Sequence, residues 1–491
     1  MQGRQLMIIV NYLFYALFLL AMGYYAIINL QWYSYKLERV MFHHTKTWWH
    51  FVYFLIPYVL YVLVNYALPQ FGFVVVIAYL AFFYQWYKGL DKPLVWTGRV
   101  KRFYALMVFL ALFITFAFNH FAVVIPIFLA YFISLFIEKM LFHGFKTKAQ
   151  KKIDDMKDLT VVGITASYGK TSIKNYIEHL LKAKYRTYAT PRSVNTLGGV
   201  MKDINDDLPE DTEVYVVEMG ARGEGDIAEI TTFVNPQYVV VGKIGPAHIE
   251  YFKTMENIRN TKMEILQSHR LKEAWIHESA MVKPEKNIHI FGTGENLDMK
   301  TGLPAPEYLI KDIEATLDAT SFTLDGVRYS ASILGAFNAM NLAAAVLVAK
   351  KLGLSDEEIQ QGLSTLKAVD HRLQRIDAGG KVILDDSFNG NIDGMMASFD
   401  LASTYAGRKV VITPGLVEVD DELNMQVAKR ANEVFDLVVV TGDLNYAIFK
   451  EHVDPEKLVK LASKSEMESM LVEQTLPGDL ILFANDAPSF V

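Results

Sequence analysis

Five apolar stretches without a single Asp, Glu, Lys or Arg fill most of the first 137 residues, at roughly 6–30, 48–68, 71–87, 103–118 and 121–137. A helix needs about 20 such residues to cross roughly 30 Å of hydrocarbon. Inside lipid, only helices and closed barrels satisfy every backbone polar group. The front of the chain is therefore expected to be a helical transmembrane module of about five spans, with 103–137 readable also as one hairpin or a re-entrant pair. The first stretch is too long for a signal-peptide core and lacks a small-residue cleavage site, so it is expected to be retained.

The charges divide the chain at the same place. Residues 1–150 hold 12 Lys and Arg against three acids (Glu38, Asp91, Glu138), a net of +9; with −6 over all 491 residues, the rest carries −15. Lys36, Arg39 and Lys46 follow the first stretch, Lys88 to Arg102 the third, and Lys139 to Lys152 the fifth. Pro69-Gln70 and Asn119-His120, between the other stretches, carry no charge. The positive-inside rule then puts the N-terminus outside and everything from 138 onward in the cytoplasm. Trp48, Trp49 and Trp86 sit at the ends of spans, as interfacial aromatics do. Spans without ionisable groups favour an anchor or lipid-facing module over a pump. Asn65 and Asn119 read as end-of-span residues. The absence of Cys excludes disulfides, thiolate metal sites and cysteine nucleophiles. An acidic soluble part argues against nucleic acid as a partner.

Length predicts three or four units, here 1–145, 150–368 and 369–491. The first chemistry-bearing motif opens the second. Thr160–Thr165 reads as a buried strand, Ala166-Ser167-Tyr168-Gly169-Lys170-Thr171-Ser172 follows, and a helical pattern runs to about Leu181. Strand, Gly-Lys-Thr loop and helix form a phosphate-binding arrangement. Backbone N–H groups and the helix start hold phosphate oxygens. Lys170 would neutralise the β/γ-phosphates, and the Thr171 hydroxyl would reach Mg²⁺. Ile164 stands where the full pattern has a glycine. Two more strands, 214–220 and 237–242, end in Glu218 and lead to His248. In open α/β sheets, ligands bind beyond the carboxyl ends of strands. Glu218 and His248 suit Mg²⁺ or Mn²⁺ near phosphates.

The order of further motifs resembles the Mur ligases, ATP-dependent amide-forming enzymes of peptidoglycan synthesis. Thr165–Ser172 looks like their phosphate loop, with Ala166 for the usual glycine. Glu218-Met219-Gly220-Ala221 with Gly225-Asp226-Ile227 resembles their Mg²⁺ motif, and 244–250 resembles the segment carrying the second-metal histidine, His248. Asn260–Ile265 aligns with the segment whose lysine is carbamylated, which would make Lys262 a metal ligand; from its local pattern alone it reads as a helix-surface lysine. Gly335–Asn341 resembles the adenine-binding turn, with Phe337 in place of His. Asp370–Gln374 resembles the start of the C-terminal domain, and Leu384–Asn391 the Asp-Asp-Ser-Tyr-Asn-Ala-Asn string. Thr413–Glu418 and Pro477-Gly478-Asp479 complete a set most like the D-alanyl-D-alanine-adding members. The usual Lys-Gly-Ser-Arg string near the end is replaced by Phe483–Pro488.

The resemblance covers about 159–491. It implies a P-loop α/β central domain with a mostly parallel sheet and a Rossmann-like α/β C-terminal domain, hinged near 368–374. It implies ATP and two Mg²⁺ ions, held by Thr171, Glu218, His248 and carbamylated Lys262. Lys170, Lys262, His248 and Arg372 would be catalytic. Thr165, Ser167, Gly169, Lys170, Thr171, Ser172, Asn338, Asn341, Arg372 and Asp386 would bind the nucleotide. Ser193, Asn195, Thr196, Asn389 and Asn391 would meet the muramyl-peptide or the D-Ala-D-Ala dipeptide. The implied reaction activates a carboxylate as an acyl phosphate, at the cytoplasmic membrane, in cell wall synthesis that supports cell shape.

Membrane lipid, and membrane-bound peptidoglycan enzymes, are the candidate partners of the apolar module. Family members begin with a small soluble uridine-binding domain. Only about 20 residues separate the last span from the phosphate-loop strand here, too few for such a domain. A Mur-type ligase acting on a lipid-linked or non-murein acceptor is thus the alternative. A transporter or scaffold with a nucleotide-binding domain is the alternative of another class, opposed by the absence of a Leu-Ser-Gly-Gly-Gln string.

Overall fold

The computed structural model describes residues 2–33, 35–42, 46–90, 92–118, 123–247, 249–294, 303–388, 390–417, 419, 421–461 and 466–485. The chain forms two compact units, Met1–Gly144 and Phe145–Val491.

The first unit is helical. Its long helices are Gln2–Trp32, Ile56–Ala67, Gly72–Lys88 and Gly98–Phe118, and the helix Val124–Asp155 begins in it. Trp48–His50 leads through a π turn, Phe51–Leu55, into the second of these. Among the described residues, four segments are long and apolar enough to cross a membrane: Ile9–Trp32, Trp48–Ala67, Pro69–Lys88 and Val124–Asp155. The expected stretch 103–118 is helical too, with its side chains from 115 onward outside the described set.

Aromatic packing builds the interior. Phe18 stacks on Tyr61 at 4.6 Å and meets Tyr79 edge-on at 5.0 Å. A Cβ on Gly23 would lie 2.6 Å from Met107 Sδ, so helices Gln2–Trp32 and Gly98–Phe118 approach closely there. Buried Asn29 and Asn65 donate to carbonyls one turn back, Tyr25 O at 2.7 Å and Tyr61 O at 2.8 Å. Asn119 lies outside the described residues. Leu60, Leu63, Phe109 and Phe136 point outward, so apolar side chains cover the exterior as well. The basic run after the last stretch continues its helix as far as Asp155. Lys, Gln and Ala are good helix formers, and charge alone does not end a helix.

Among the described residues, the second unit forms two sheets. The first has β1 (Thr160–Thr165), β2 (Thr187–Ala189), β3 (Val214–Glu218), β4 (Tyr238–Val241), β5 (Glu273–His277), β6 (Ile288–Gly292), β7 (Tyr308–Ala315), β8 (Thr320–Leu324) and β9 (Val327–Ala331). Their order is β2-β3-β1-β4-β5-β6-β7-β8-β9. Pairing is parallel from β2 to β7 and antiparallel from β7 to β9. β1 and β3 are near-continuous apolar runs because both faces are covered, as parallel strands require. Helices Lys170–Leu181 and the alanine-rich Phe337–Lys351 pack over one face around Ile177, Leu180 and Ala344. Ile204, Ile230 and Ile258, from three other helices, cover the opposite face.

The second sheet has β10 (Gln374–Ala378), β11 (Lys381–Asp386), β12 (Lys409–Thr413), β13 (Leu437–Thr441), β14 (Leu458–Leu461) and β15 (Leu480–Ala484), in the order β10-β11-β15-β12-β13-β14. All pairs are parallel except the β10–β11 hairpin. Between helix Asp356–Ser364 and β10, His371 and Leu373 take left-handed backbone conformations, with φ of 62° and 52°. This irregular segment joins the two sheets.

Candidate active site

β1 lies between β3 and β4, where the strand order of the first sheet reverses. That switch point is where open α/β sheets bind ligands, and the phosphate loop emerges from it. Gly169 caps the following helix with φ 80°, and a Cβ there would sit 2.4 Å from Asn341 Oδ1. Only glycine meets both demands. Ser167 Oγ donates to Gly245 O at 2.9 Å, and Thr165 Oγ1 to Met219 O at 2.9 Å, tying the loop to the segments after β4 and β3. Ser172 is buried within the helix that follows.

Lys170 Nζ donates to the carbonyls of Ala166 and Ser167 at 2.8 and 3.1 Å, inside its own loop. Burial lowers its pKa, Glu218 opposes that shift, and Arg372 adds to it. Glu218 ends β3 with 1% of its side chain exposed. Its Oε2 accepts from Thr171 Oγ1 at 2.9 Å, and its Oε1 from Asn195 Nδ2 at 3.0 Å. A buried, hydroxyl-paired carboxylate next to a phosphate loop is a hard oxygen donor set that fits Mg²⁺.

Lys262 lies on helix Met255–Met263, and its side chain is buried. Burial foremost, then the neighbouring Lys170, pushes its pKa down to about 7, against Glu264, Asp226 and Glu218. It is thus no surface lysine. Two residues on, Glu264 accepts from the backbone N–H of Gly225 at 2.7 Å and Ala228 at 3.0 Å, holding the Gly-Asp-Ile turn beside Glu218's strand. Among the described residues, no three His, Asp or Glu side chains gather closely enough to hold a metal by themselves. His248 and Asn389 lie outside the described residues.

At the turn expected to bind adenine, Asn338 Nδ2 donates to Leu334 O at 2.7 Å, and Asn341 Nδ2 to Asn338 Oδ1 at 2.9 Å. Both asparagines are buried. Arg372 reaches in from the segment between the sheets. Its guanidinium lies 4.6 Å from the centre of the Phe388 ring and donates to Phe388 O at 3.2 Å. Burial lowers its pKa, with Asp386 and Glu218 opposing. Asp386 ends β11; burial raises its pKa to about 7, against the pull of Arg372.

The residues expected to meet substrate divide. Asn195 reaches Glu218 directly, and Thr196 caps helix Leu197–Asp206 by accepting from Gly199 N. Asn391 caps helix Ile392–Ser403, accepting from Gly394 N at 3.0 Å. Ser193 is exposed on the same loop as Asn195. Sequence reasoning missed Lys174, which lies 3.5 Å from Glu218 and is itself buried, and Lys243, which pairs with Asp393 at 2.7 Å across the two sheets. Its one available signal for Lys174 was a charged residue on the apolar face of the phosphate-loop helix.

Residues 164–349 match the Mur ligase middle domain. A UDP-N-acetylmuramoyl-tripeptide–D-alanyl-D-alanine ligase of Bacillus subtilis (strain 168) is 28% identical over 342 residues, covering 66% of this chain and 72% of the relative. The protein of the same name from Synechocystis sp. is 29% identical over 336 residues, covering 66% and 71%. The crystal structure of MurF ligase from Thermotoga maritima in complex with ADP superposes with a TM-score of 0.59 at 25% identity, covering 70% of this chain and 80% of that one. The phosphate loop, the buried carboxylate and lysine, and the asparagine pair thus lie in a unit that is similar to the Mur ligases and matches their middle domain over residues 164–349.

Proposed function

We propose that this chain is an ATP-dependent ligase that joins D-alanyl-D-alanine to UDP-N-acetylmuramoyl-tripeptide in peptidoglycan precursor synthesis, held at the cytoplasmic membrane by its helical unit. One observation carries the chemistry. Lys170, Thr171, Glu218 and Lys262, around the first sheet, and Arg372, from the segment between the sheets, act on one another within one cluster.

A carboxylate is a poor electrophile. Phosphoryl transfer from ATP converts the tripeptide carboxylate to an acyl phosphate; the dipeptide amine then attacks its carbonyl carbon, and phosphate leaves. Catalysis of such steps rests on position and charge. Lys170 and Arg372 face the transferring phosphoryl group and offset its growing charge. Asn338 and Asn341 hold the adenine end, and Asp386 the ribose or the domain orientation. Asn195 and the loop around it face the muramyl-peptide. Thr171, Glu218, His248 and a carbamate on Lys262 would hold Mg²⁺, which supplies charge neutralisation between phosphate and carboxylate oxygens when bound. The segment near 368–374 serves as the hinge for closure.

The apolar exterior of the helical unit supports contact with membrane lipid. It supports equally the second reading, a lipid-linked acceptor for the same chemistry. The deciding experiment supplies soluble UDP-muramyl-tripeptide, D-Ala-D-Ala and ATP to the full chain in mild detergent. Pentapeptide product with stoichiometric ADP is expected. Product only from a lipid-linked acceptor replaces the first reading with the second, and no amine-dependent ADP release refutes both. A membrane-bound peptidoglycan enzyme as partner would copurify in the same detergent; recovery of this chain alone would count against it.

A further inference from the structure

Lys174 stands on the phosphate-loop helix, one turn beyond Lys170, and has no part in the reaction as described above. Its side chain is 1% exposed. A buried ammonium is costly unless it is paired and hydrogen-bonded. Lys174 meets that demand in two directions. Its Nζ lies 3.5 Å from Glu218 Oε2 and donates to the backbone carbonyl of Arg192. Glu178 and Asp203 also act on it. Asp203 is already engaged by the hydroxyls of Tyr188 and Tyr215, at 2.6 and 2.7 Å.

The two anchors belong to opposite ends of the site. Glu218 belongs to the metal and phosphate end. Arg192 lies in the 190–198 loop, the muramyl-peptide end. Arg192 has φ 48°, a left-handed conformation that a non-glycine residue keeps only when its surroundings impose it. The same loop touches Glu218 twice more: Thr190 Oγ1 accepts from Glu218 N at 3.1 Å, and Asn195 Nδ2 donates to Glu218 Oε1 at 3.0 Å. Gly220 N donates to Asn195 O at 2.7 Å, closing the connection just past β3.

We propose that Lys174 is a positioning residue that locks the Glu218 carboxylate and the 190–198 loop into one geometry, so that the acceptor carboxylate is presented to the phosphoryl group. It touches neither nucleotide nor substrate and acts through Glu218 and the Arg192 carbonyl. The inference rests on the ligase reading for which substrate the loop holds. The fixed geometry itself can be measured without turnover.

The test compares the full chain with Lys174→Met and Lys174→Gln in mild detergent, by two readouts. Amide hydrogen exchange across 190–198 should quicken by about tenfold in Lys174→Met, with β12 and β13 unchanged, because only the loop loses its tie. In steady-state kinetics, the half-saturating concentration of UDP-muramyl-tripeptide should rise about tenfold while that of ATP moves less than about threefold. Lys174→Gln, which keeps a donor, should recover part of both. Unchanged loop exchange in folded variants overturns the proposal. So does unfolding of both variants, since Lys174 would then be a core pair and nothing more. A wild-type chain that releases no ADP with these substrates refutes the ligase reading, whereas wild-type turnover with indistinguishable variants refutes the role of Lys174 alone.

Discussion

Thr171 Oγ1 donates to Glu218 Oε2 across 2.9 Å, so the phosphate-loop helix and the end of β3 hold each other through the two oxygens best placed to receive a metal. The hydroxyl must turn its proton away before both oxygens can serve one cation. Thr171→Val keeps the shape and removes the oxygen. The expected result is a folded enzyme whose kcat falls roughly 10- to 100-fold, with a higher Mg²⁺ concentration at half-maximal rate. Titrating Mg²⁺ at saturating ATP checks this, and an unchanged Mg²⁺ profile would remove Thr171 from the metal site.

In the proposed mechanism, Lys170→Ala removes the charge beside the transferring phosphoryl group. The rate of ADP release with both substrates should fall by at least about 10²- to 10³-fold, the usual cost of deleting one preorganised charge or donor. Full retained activity would sink the assignment of this loop to ATP.

Lys262 is buried, and its amine is held at a pKa of about 7. An ordinary lysine, near 10.4, is neutral in well under about one molecule in a thousand at pH 7. Here about half the amines are free to take up CO₂ at that pH, by the same relation. The sign follows. Above pH 7 the neutral amine accepts CO₂; below it the amine takes a proton instead, and the carbamate is lost. Bicarbonate labelled with ¹³C should give a carbamate resonance that weakens from pH 8 to pH 6 and is missing in Lys262→Ala. Short carboxylates or chloride should partly restore that variant's activity. A Lys262→Ala enzyme as active as the wild type would exclude the role.

Some of this site was legible in the sequence because its signals are local. An apolar run ending in Gly-Lys-Thr sets β1, the turn and the helix within a dozen neighbouring residues. Glu218 was legible in the same way, as a carboxylate at the end of a buried strand. Lys262 was not. Its helix carries Glu256, Asn257, Arg259 and Asn260, and nothing local separates the buried lysine from the exposed ones. Only a long-range contact buries it, and only family resemblance flagged it. The Lys174–Glu218–Asn195 connection joins three elements, so no single window of sequence contains it. The antiparallel extension β7 to β9 drew no expectation either, because its short, half-polar strands carry no functional residue to mark them.

Lys243 and Asp393 form an ion pair at 2.7 Å that joins the two sheets, with side chains 41% and 57% exposed. Exposed pairs gain little, because water and salt screen them and both side chains lose freedom. A double-mutant cycle on Lys243→Ala and Asp393→Ala should therefore give a coupling below about 1 kcal/mol. A coupling of several kcal/mol would instead make this pair the latch of domain closure.

Leu60 lies near the middle of the segment Trp48–Ala67 with 48% of its surface exposed. The same substitution there has opposite consequences in two solvents. If the outward faces meet water, Leu60→Lys exchanges an exposed apolar group for a charged one, and stability stays within about 0.5 kcal/mol, as for most surface changes. If they meet lipid, a lysine at mid-span costs about 2.5–3.5 kcal/mol on insertion scales. Membrane insertion is the expected case. Leu60→Lys should sharply reduce the membrane-integrated fraction recovered after alkaline extraction, while Lys46→Ala, before the span, should leave it unchanged. Equal recovery of Leu60→Lys and wild type would place these helices in water and detach the ligase from the membrane.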